Sequence, residues 1–193
     1  MCSFVNFSFL RARWKILAAF NAMFFGGIFI TLVLSGAFLH PPVYTGWHPN
    51  VPELFVGDGW LLLILGTFIF NLAWNSFVCV AMPGVVFFPL SAGFLLYRAF
   101  LWGLYLYAQP TWLFIVLLPV TLLECEAYVL AAVAGTVLGA SWVLPNQIYS
   151  GHKQTRVQVL KKAARELSET YILISVFLLV AAIIETIITW AIV

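Results

Sequence analysis

The sequence predicts an all-α integral membrane protein: a bundle of about five transmembrane helices, with one further amphipathic helix at the cytoplasmic surface. Hydrophobic residues make up 64% of its 193 residues and charged residues only 8%, whereas soluble domains contain about 25% charged residues. Such a chain cannot cover a water-exposed surface. Because lipid offers no hydrogen bonds to the backbone, the spanning segments are predicted to be helices. The length fits a single transmembrane domain over residues 1–193.

Five apolar segments are long enough to cross a hydrocarbon core, which requires about 20 residues. They lie near residues 16–39, 60–82, 84–107, 112–143 and 171–193. The first exceeds the apolar region of a secretory signal peptide, so a retained signal anchor fits it better. Met82-Pro83-Gly84 predicts a tight turn between the second and third segments. Pro119 predicts a kink or a re-entrant piece in the fourth.

The basic residues fall in two clusters that predict the orientation. Arg11, Arg13 and Lys15 precede the first segment, and Lys153, Arg156, Lys161, Lys162 and Arg165 lie between the fourth and fifth. An odd number of spans puts both clusters on one side, and the positive-inside rule makes that side cytoplasmic. The loop over residues 40–59 contains no Lys or Arg. This loop and the C-terminus are therefore predicted to lie outside, in a cell membrane.

The connection over residues 152–170 has a helical period of its own. Val157, Leu160, Ala164 and Leu167 recur at helical spacing, with basic residues between them. This pattern is typical of an amphipathic helix at an anionic membrane surface. The predicted lipid contacts are Lys153, Arg156, Lys161, Lys162 and Arg165. A solvated helix that merely follows the positive-inside rule is the alternative.

Six polar or charged residues stand out inside the apolar segments, where a charge costs about 2.5 kcal/mol or more. They are Asn71, Asn75, Arg98, Glu124, Glu126 and Glu185. Mutual pairing lowers that cost most simply, with Arg98 against one carboxylate and the two asparagines hydrogen-bonded across to the others. The set acts either as a structural contact between helices or as a functional site.

The fourth segment contains a stripe of small residues, which lets helix backbones approach closely. The stripe consists of Ala127, Ala131, Gly135 and Gly139. At about 100° per residue, Glu124 lies on this stripe and Glu126 points to nearly the opposite side. Glu124 is therefore predicted to be buried between helices. The first segment has a similar stripe, so the two helices are candidate partners; its members are Ala18, Ala22 and Gly26.

The sequence gives little support for an enzyme, a metal site or a cofactor. Cys2, Cys79 and Cys125 have no CxxC spacing. His40, His48 and His152 lie outside the apolar segments, and GxSxG and HExxH motifs are absent from the sequence. An external metal site built from His40, His48, Glu53 and Asp58 is a weaker hypothesis. Nothing indicates nucleic-acid binding, and no cofactor is predicted.

Two stretches of the sequence resemble the stage II sporulation protein M family. One is Pro119-Val-Thr-Leu-Leu-Glu124-Cys-Glu-Ala127, followed by a small-residue helix through Gly135 and Gly139; the other is Leu179-Val-Ala-Ala-Ile-Ile-Glu185-Thr-Ile-Ile-Thr189. Asn71, Asn75, Pro83-Gly84 and Gly93 match its central hairpin more loosely. The family's usual His-Gly after the proline is Val120-Thr121 here, and its paired asparagines are spread apart.

This resemblance implies a multi-pass component of an envelope-associated membrane assembly, without chemistry of its own. Three functions follow for comparison. The first is a non-enzymatic scaffold that contacts other membrane proteins or a second copy of itself. The second is a small ion or solute transporter that uses the carboxylates and Arg98. The third is an intramembrane protease, which the placement of the histidines disfavours.

Overall fold

The computed structural model describes residues 8–39, 59–149 and 155–192, and these residues are helical almost throughout. The helices are α1 (Ser8–Ala12), α2 (Trp14–Phe38), α3 (Trp60–Ile69), α4 (Met82–Val86), α5 (Leu90–Ala108), α6 (Thr111–Val143), α7 (Pro145–Ile148) and α8 (Arg156–Ile192). A π-helical segment, Phe70–Ala81, joins α3 to α4 without a break. No strand occurs in these ranges, as the apolar composition predicts.

Four helices are long and apolar enough to cross a membrane: Trp14–Phe38, Trp60–Val86, Trp112–Val143 and Arg156–Ala191. The prediction of five spans plus a separate amphipathic helix is therefore wrong. Within the described residues, α5 is the long helix that falls outside this set. Arg98 and three tyrosines reduce its hydropathy, although it is 19 residues long.

The predicted amphipathic helix and the last span form one helix, α8, of 37 residues. No Gly or Pro lies between Arg156 and Ile192, so nothing in the sequence ends the helix. At 1.5 Å per residue, α8 is about 55 Å long, well beyond the roughly 30 Å hydrocarbon core. Its buried face near the start also differs from the predicted one, because Val157 is exposed while Val159 and Ala163 are buried.

The predicted turn at Met82-Pro83-Gly84 is also wrong, because the chain remains helical until Val86. Pro83 is the second residue of α4, inside this continuous helix. The turn comes at Phe87–Pro89 instead, with Phe87 extended at φ −149° and ψ 110°. Pro89 then stands at the N-cap of α5. Pro119, by contrast, lies inside an uninterrupted α6 and produces no re-entrant piece.

Contacts between helix ends show how the chain runs through the bundle. Arg13 Nη2 donates to the carbonyl oxygen of Ile148 at 2.7 Å. This hydrogen bond joins the start of α2 to the end of α7. At the opposite end, the hydroxyl of Tyr107 donates to the carbonyl oxygen of Leu39 at 2.9 Å. Helices α2 and α5 therefore run parallel. We call the end of the bundle that contains Arg13 and Ile148 the basic end.

The small-residue stripe of α6 packs against the Trp60–Val86 helix, and not against the first helix as predicted. A Cβ on Gly135 would lie 2.8 Å from Cα of Ala81, and one on Gly139 would lie 2.9 Å from the carbonyl carbon of Gly84. Ala18 and Ala22 of α2 are exposed. The inner face of α2 packs on α5 instead, where a Cβ on Gly27 would lie 3.0 Å from Cβ of Ala99.

We expect Gly135→Ala to destabilise the bundle by about 1–3 kcal/mol, because the added methyl group must displace the backbone at Ala81. Gly93→Ala is the matched control, since a Cβ at this helical glycine meets nothing within 4 Å. It should be neutral, or stabilising by up to about 1 kcal/mol through helix propensity. Thermal unfolding in detergent compares the two. Equal effects would contradict the close approach of α6 to Ala81.

Candidate functional site

A cluster of polar side chains lies inside the bundle, where the π-helical segment, α5 and α6 meet. Asn71 and Asn75 come from the π-helical segment, Arg98 from α5, and Glu124 from α6. Four of the six predicted residues are therefore brought together. Asn71 and Asn75 can both take part because residues four apart lie on the same face of a helix.

The cluster is a chain of hydrogen bonds that runs from a guanidinium to a carboxyl group. Arg98 Nη1 donates to Asn75 Oδ1 at 2.9 Å. Asn75 Nδ2 donates to Asn71 Oδ1 at 2.7 Å, and Asn71 Nδ2 donates to Glu124 Oε1 at 2.6 Å. We call this the Arg98–Glu124 chain. Each asparagine acts in it as both donor and acceptor, which a carboxamide can do because it has both a carbonyl oxygen and an NH₂ group.

The carboxyl end of the chain is enclosed by protein. The side chains of Asn71, Asn75 and Glu124 are only 2%, 3% and 3% exposed. Arg98 at the other end is half-buried. In a low-dielectric interior each of these polar groups would be costly without a partner. The chain gives every one of them a hydrogen bond, so it stabilises the contact between three helices.

Tyr128 belongs to the same cluster, although the sequence analysis did not identify it. Its hydroxyl donates to Asn71 Oδ1 at 3.2 Å, and its ring lies 4.7 Å from the guanidinium carbon of Arg98. This is within the range of a cation–π contact. The signal in the sequence was its position four residues after Glu124, on the same face of α6.

Glu185 approaches the cluster from α8. Its side chain is 5% exposed, and it is close enough to Glu124 for the two carboxyl groups to interact electrostatically. The next residue, Thr186, is turned back onto its own helix, where its hydroxyl donates to the carbonyl oxygen of Ala182 at 2.8 Å. Glu185 thus adds a second buried carboxyl group beside the chain.

Glu126 lies apart from the cluster, on another face of α6. It is half-buried and hydrogen-bonded to Asn21 of α2. Asn21 also donates from Nδ2 to the carbonyl oxygen of Leu17 at 3.2 Å. Asn21 is a polar residue in the first span that the sequence analysis missed, although an amide at that depth already called for a partner.

The connections between the groups limit the chemistry of the cluster. A relay of protons between Arg98 and Glu124 would have to pass through two amide groups, which do not titrate. The two amide groups therefore stabilise the charge of Arg98 through their dipoles, and they do not carry a proton to Glu124. Within residues 8–39, 59–149 and 155–192, no three His, Cys, Asp or Glu side chains are grouped as metal ligands. His40, His48, Glu53 and Asp58 lie outside the described residues.

A second polar group holds the basic end together around Tyr149. Arg13 lies 5.0 Å and Lys162 4.5 Å from the centre of the Tyr149 ring. The Tyr149 hydroxyl donates to Glu166 of α8 in a short hydrogen bond. The ring thereby connects α2, the segment after α7, and α8. Burial raises the pKa of Tyr149, and the neighbouring Glu166 raises it further.

The predicted lipid-contact residues of α8 lie at this same end. Arg156, Lys161, Lys162 and Arg165 are exposed, whereas Lys153 lies outside the described residues. Arg165 Nε contacts Glu169 Oε1 at 2.9 Å across one helical turn. An exposed pair of this kind contributes little to stability. The cationic groups of this surface therefore remain available to the surroundings.

Comparison with known protein families assigns the chain to a family. The family model for stage II sporulation protein M matches residues 21–190. The chain belongs to the stage II sporulation protein M family. The match covers most of the chain and includes the Arg98–Glu124 chain, the small-residue stripe and Glu185. It confirms the resemblance drawn from Pro119–Ala127 and Leu179–Thr189.

The family model is the comparison that gives a result. Neither a search of curated proteins nor a search of solved structures gives a significant match. The stage II sporulation protein M family is not a known enzyme family. What family membership and the apolar helices establish together is a helical membrane protein of this family.

We expect Glu124→Leu to destabilise the bundle by about 1 kcal/mol or more, because it removes the acceptor for Asn71 from a buried site. Glu124→Gln should retain most of the stability, since an amide oxygen can accept the same hydrogen bond. Glu126→Leu is the control on the other face of α6, and its effect should be smaller. Unfolding in detergent measures all three. If Glu126→Leu proved the more damaging, the cluster would not be the main polar contact.

We expect the stability of the protein to fall as pH rises above about 10, partly through Tyr149. Its pKa is raised in the folded state, so folding favours the protonated hydroxyl. That contribution is complete below the unfolded-state pKa of about 10 and is lost as pH rises from there through the higher folded-state pKa.

Tyr149→Phe isolates this contribution from that of the other tyrosines. It removes the titrating hydroxyl but keeps a ring between Arg13 and Lys162. The difference in melting temperature between the two proteins should therefore shrink between pH 8 and pH 11. A difference that stayed constant over this range would contradict the hydrogen bond to Glu166.

Proposed function

We propose that this chain is a non-enzymatic membrane scaffold, an assembly component of an envelope-associated complex of the stage II sporulation protein M type. The observation that carries the proposal is the enclosure of the Asn71, Asn75 and Glu124 side chains of the Arg98–Glu124 chain. The amide and carboxyl groups of these residues make hydrogen bonds between helices of the same polypeptide. This is what a structural core requires, and not what a transport path requires.

The packing of the helices supports the same function. Glycines on α6 bring its backbone against Ala81 and Gly84, and Tyr149 joins three segments at the basic end. These contacts produce a bundle that presents fixed surfaces to its surroundings. Other membrane proteins, or a second copy of the chain, are the partners that such surfaces serve.

A small transporter is the second candidate function, and one specific observation favours it. Glu124 and Glu185 are two carboxyl groups buried side by side, and a π-helical segment of 12 residues passes beside Glu124. Intramembrane acidic residues often mark ion pathways, and π-helical irregularities often occur at functional sites. The neutral asparagines between Arg98 and Glu124 argue against a proton path.

Reconstitution and purification together test the proposed function. Liposomes that contain the purified protein should pass protons and monovalent ions no faster than empty liposomes. From cells, the tagged protein in mild detergent should carry specific membrane proteins at a fixed ratio. A flux that Glu124→Gln abolished, in a protein that still folds, would establish the transporter and overturn the scaffold.

The orientation in the membrane is part of this proposal. We place the basic end on the cytoplasmic side and the end of α8 outside, because Arg11, Arg13 and Lys15 precede the first span and the basic residues of α8 lie at the same end. The membrane concerned is the cell membrane.

Labelling with an impermeant thiol reagent tests the orientation. A cysteine at Gly59, beside the start of α3, should react in intact cells. A cysteine at the exposed Arg156 should react only after lysis. The native cysteines are replaced beforehand in both proteins. The reverse labelling pattern would show that the protein has the opposite orientation in the membrane.

We also propose that the exposed cations of α8 contact anionic lipid headgroups. Arg156→Gln and Lys161→Gln should each weaken the retention of anionic lipid by about fivefold, because a basic residue near a charged membrane surface contributes about 1 kcal/mol. Mass spectrometry of lipids that co-purify with the protein measures the effect. Glu169→Gln is the control and should not reduce retention. Unchanged lipid content in the Gln variants would leave only a solvated helix end.

A further inference from the structure

A small crevice opens beside Arg98. Its volume is about 200 Å³, and it is lined by Arg98, Leu101, Trp102 and Tyr105. These residues follow one another at helical spacing on a single face of α5. Trp102 and Tyr105 form an aromatic wall, with their rings 5.4 Å apart and perpendicular. The crevice is large enough for several water molecules.

The guanidinium of Arg98 is only partly satisfied by its protein contacts. The acceptor that Nη1 reaches is an amide oxygen, Asn75 Oδ1, and not a carboxylate. Tyr128 supplies its ring on one side, and its hydroxyl is a second hydrogen-bond partner of the guanidinium. Nε is shielded from solvent and donates to no acceptor within the described residues, so a ligand in the crevice would be met by the Nη groups. A guanidinium has five N–H donors, so the Nη groups of Arg98 have the capacity for a further acceptor.

The position of Arg98 makes that capacity significant. It stands near the middle of the 19-residue α5, a helix that runs through the bundle parallel to the first membrane-spanning helix. A cation inside a membrane-spanning bundle is stable when it is paired, or when it faces a water-filled cavity. Two neutral amides separate Arg98 from Glu124. The crevice is the place where water or an anion can complete its coordination.

We infer that the crevice at Arg98 is a binding site for a small carboxylate, which the guanidinium holds against the wall formed by Trp102 and Tyr105. Carboxylates match the fork of guanidinium donors better than spherical anions do. The volume admits a carboxyl group with a few further atoms. This site goes beyond the proposed scaffold, which needs no ligand. The carboxylate comes from water or from an acidic side chain on the transmembrane helix of a partner.

A cysteine at Leu101 tests the charge and the accessibility of the crevice. In a variant without native cysteines, in lipid nanodiscs, it is treated with methanethiosulfonate reagents of similar size. One carries a negative ethylsulfonate group and the other a positive ethyltrimethylammonium group. Labelling by the negative reagent should exceed labelling by the positive one, relative to free cysteine, by about tenfold.

Three comparisons complete the experiment. Arg98→Gln should remove the preference for the negative reagent, and Arg98→Lys should keep part of it. Phe100→Cys, exposed on the lipid-facing side of α5, should react with neither reagent. Acetate, exchanged for chloride at constant ionic strength, should slow labelling at Leu101→Cys and have no effect once Arg98 is replaced.

The outcomes distinguish the two sources of the carboxylate, and one outcome contradicts the proposed site. Slowing by acetate in nanodiscs supports a soluble carboxylate. Labelling that is fast in nanodiscs, but blocked in native membranes, supports an acidic side chain of a partner. Equal labelling by both reagents, or none by either, overturns the site even if Arg98→Gln does not fold. Absence of ion flux in liposomes would leave this test unaffected.

Discussion

The close approach of α6 to the Trp60–Val86 helix is the constraint on which the rest of the bundle depends. Gly135 and Gly139 allow the two backbones to touch at Ala81 and Gly84. Because these helices run parallel, the contact near the basic end also sets their register further along. Asn71 is thereby brought to Glu124, 53 residues away in the sequence. Without the glycines the helices would separate, and the buried carboxyl group would lose its partner.

The π-helical segment adapts one helix to two requirements at once. Its 12 residues carry Asn71 and Asn75 toward the interior, while Trp74 and Val78 face outward. Both asparagines must point to the same side in order to pass a hydrogen bond from Arg98 to Glu124. Their spacing of four residues supplies that alignment. The π-helical segment ends at Ala81, and α4 continues the helix from Met82.

Composition and hydropathy were sufficient to predict a helical membrane protein, because lipid restricts a chain of this kind to few structures. The six polar residues inside the spans could also be found, since each one is conspicuous among apolar neighbours. Which of them meet could not be predicted. That depends on the register between helices, which packing at Gly135 and Gly139 sets. Tyr128 and Asn21 were missed because aromatic and amide residues are less conspicuous than charges.

The errors in the predicted segments share one physical origin. Pro83-Gly84 was interpreted through the conformational freedom of glycine, whereas Gly84 serves to let two backbones touch. The segment after His152 was interpreted through its charges, whereas helix continuity depends on the absence of breakers between Arg156 and Ile192. A local sequence pattern indicates which conformations and environments a residue can adopt. Packing against neighbouring helices determines which of these the residue adopts in the structure.

The unbroken α8 has a mechanical consequence. A helix without glycine or proline behaves as a stiff rod, so a sideways force at Arg156 is not absorbed by a hinge. Glu166 joins α8 to Tyr149 near one end of this rod, and Glu185 lies 19 residues further along it. The hydrogen bond at the basic end and the buried carboxyl group therefore belong to one unbroken helix, and neither can shift along the helix axis without the other.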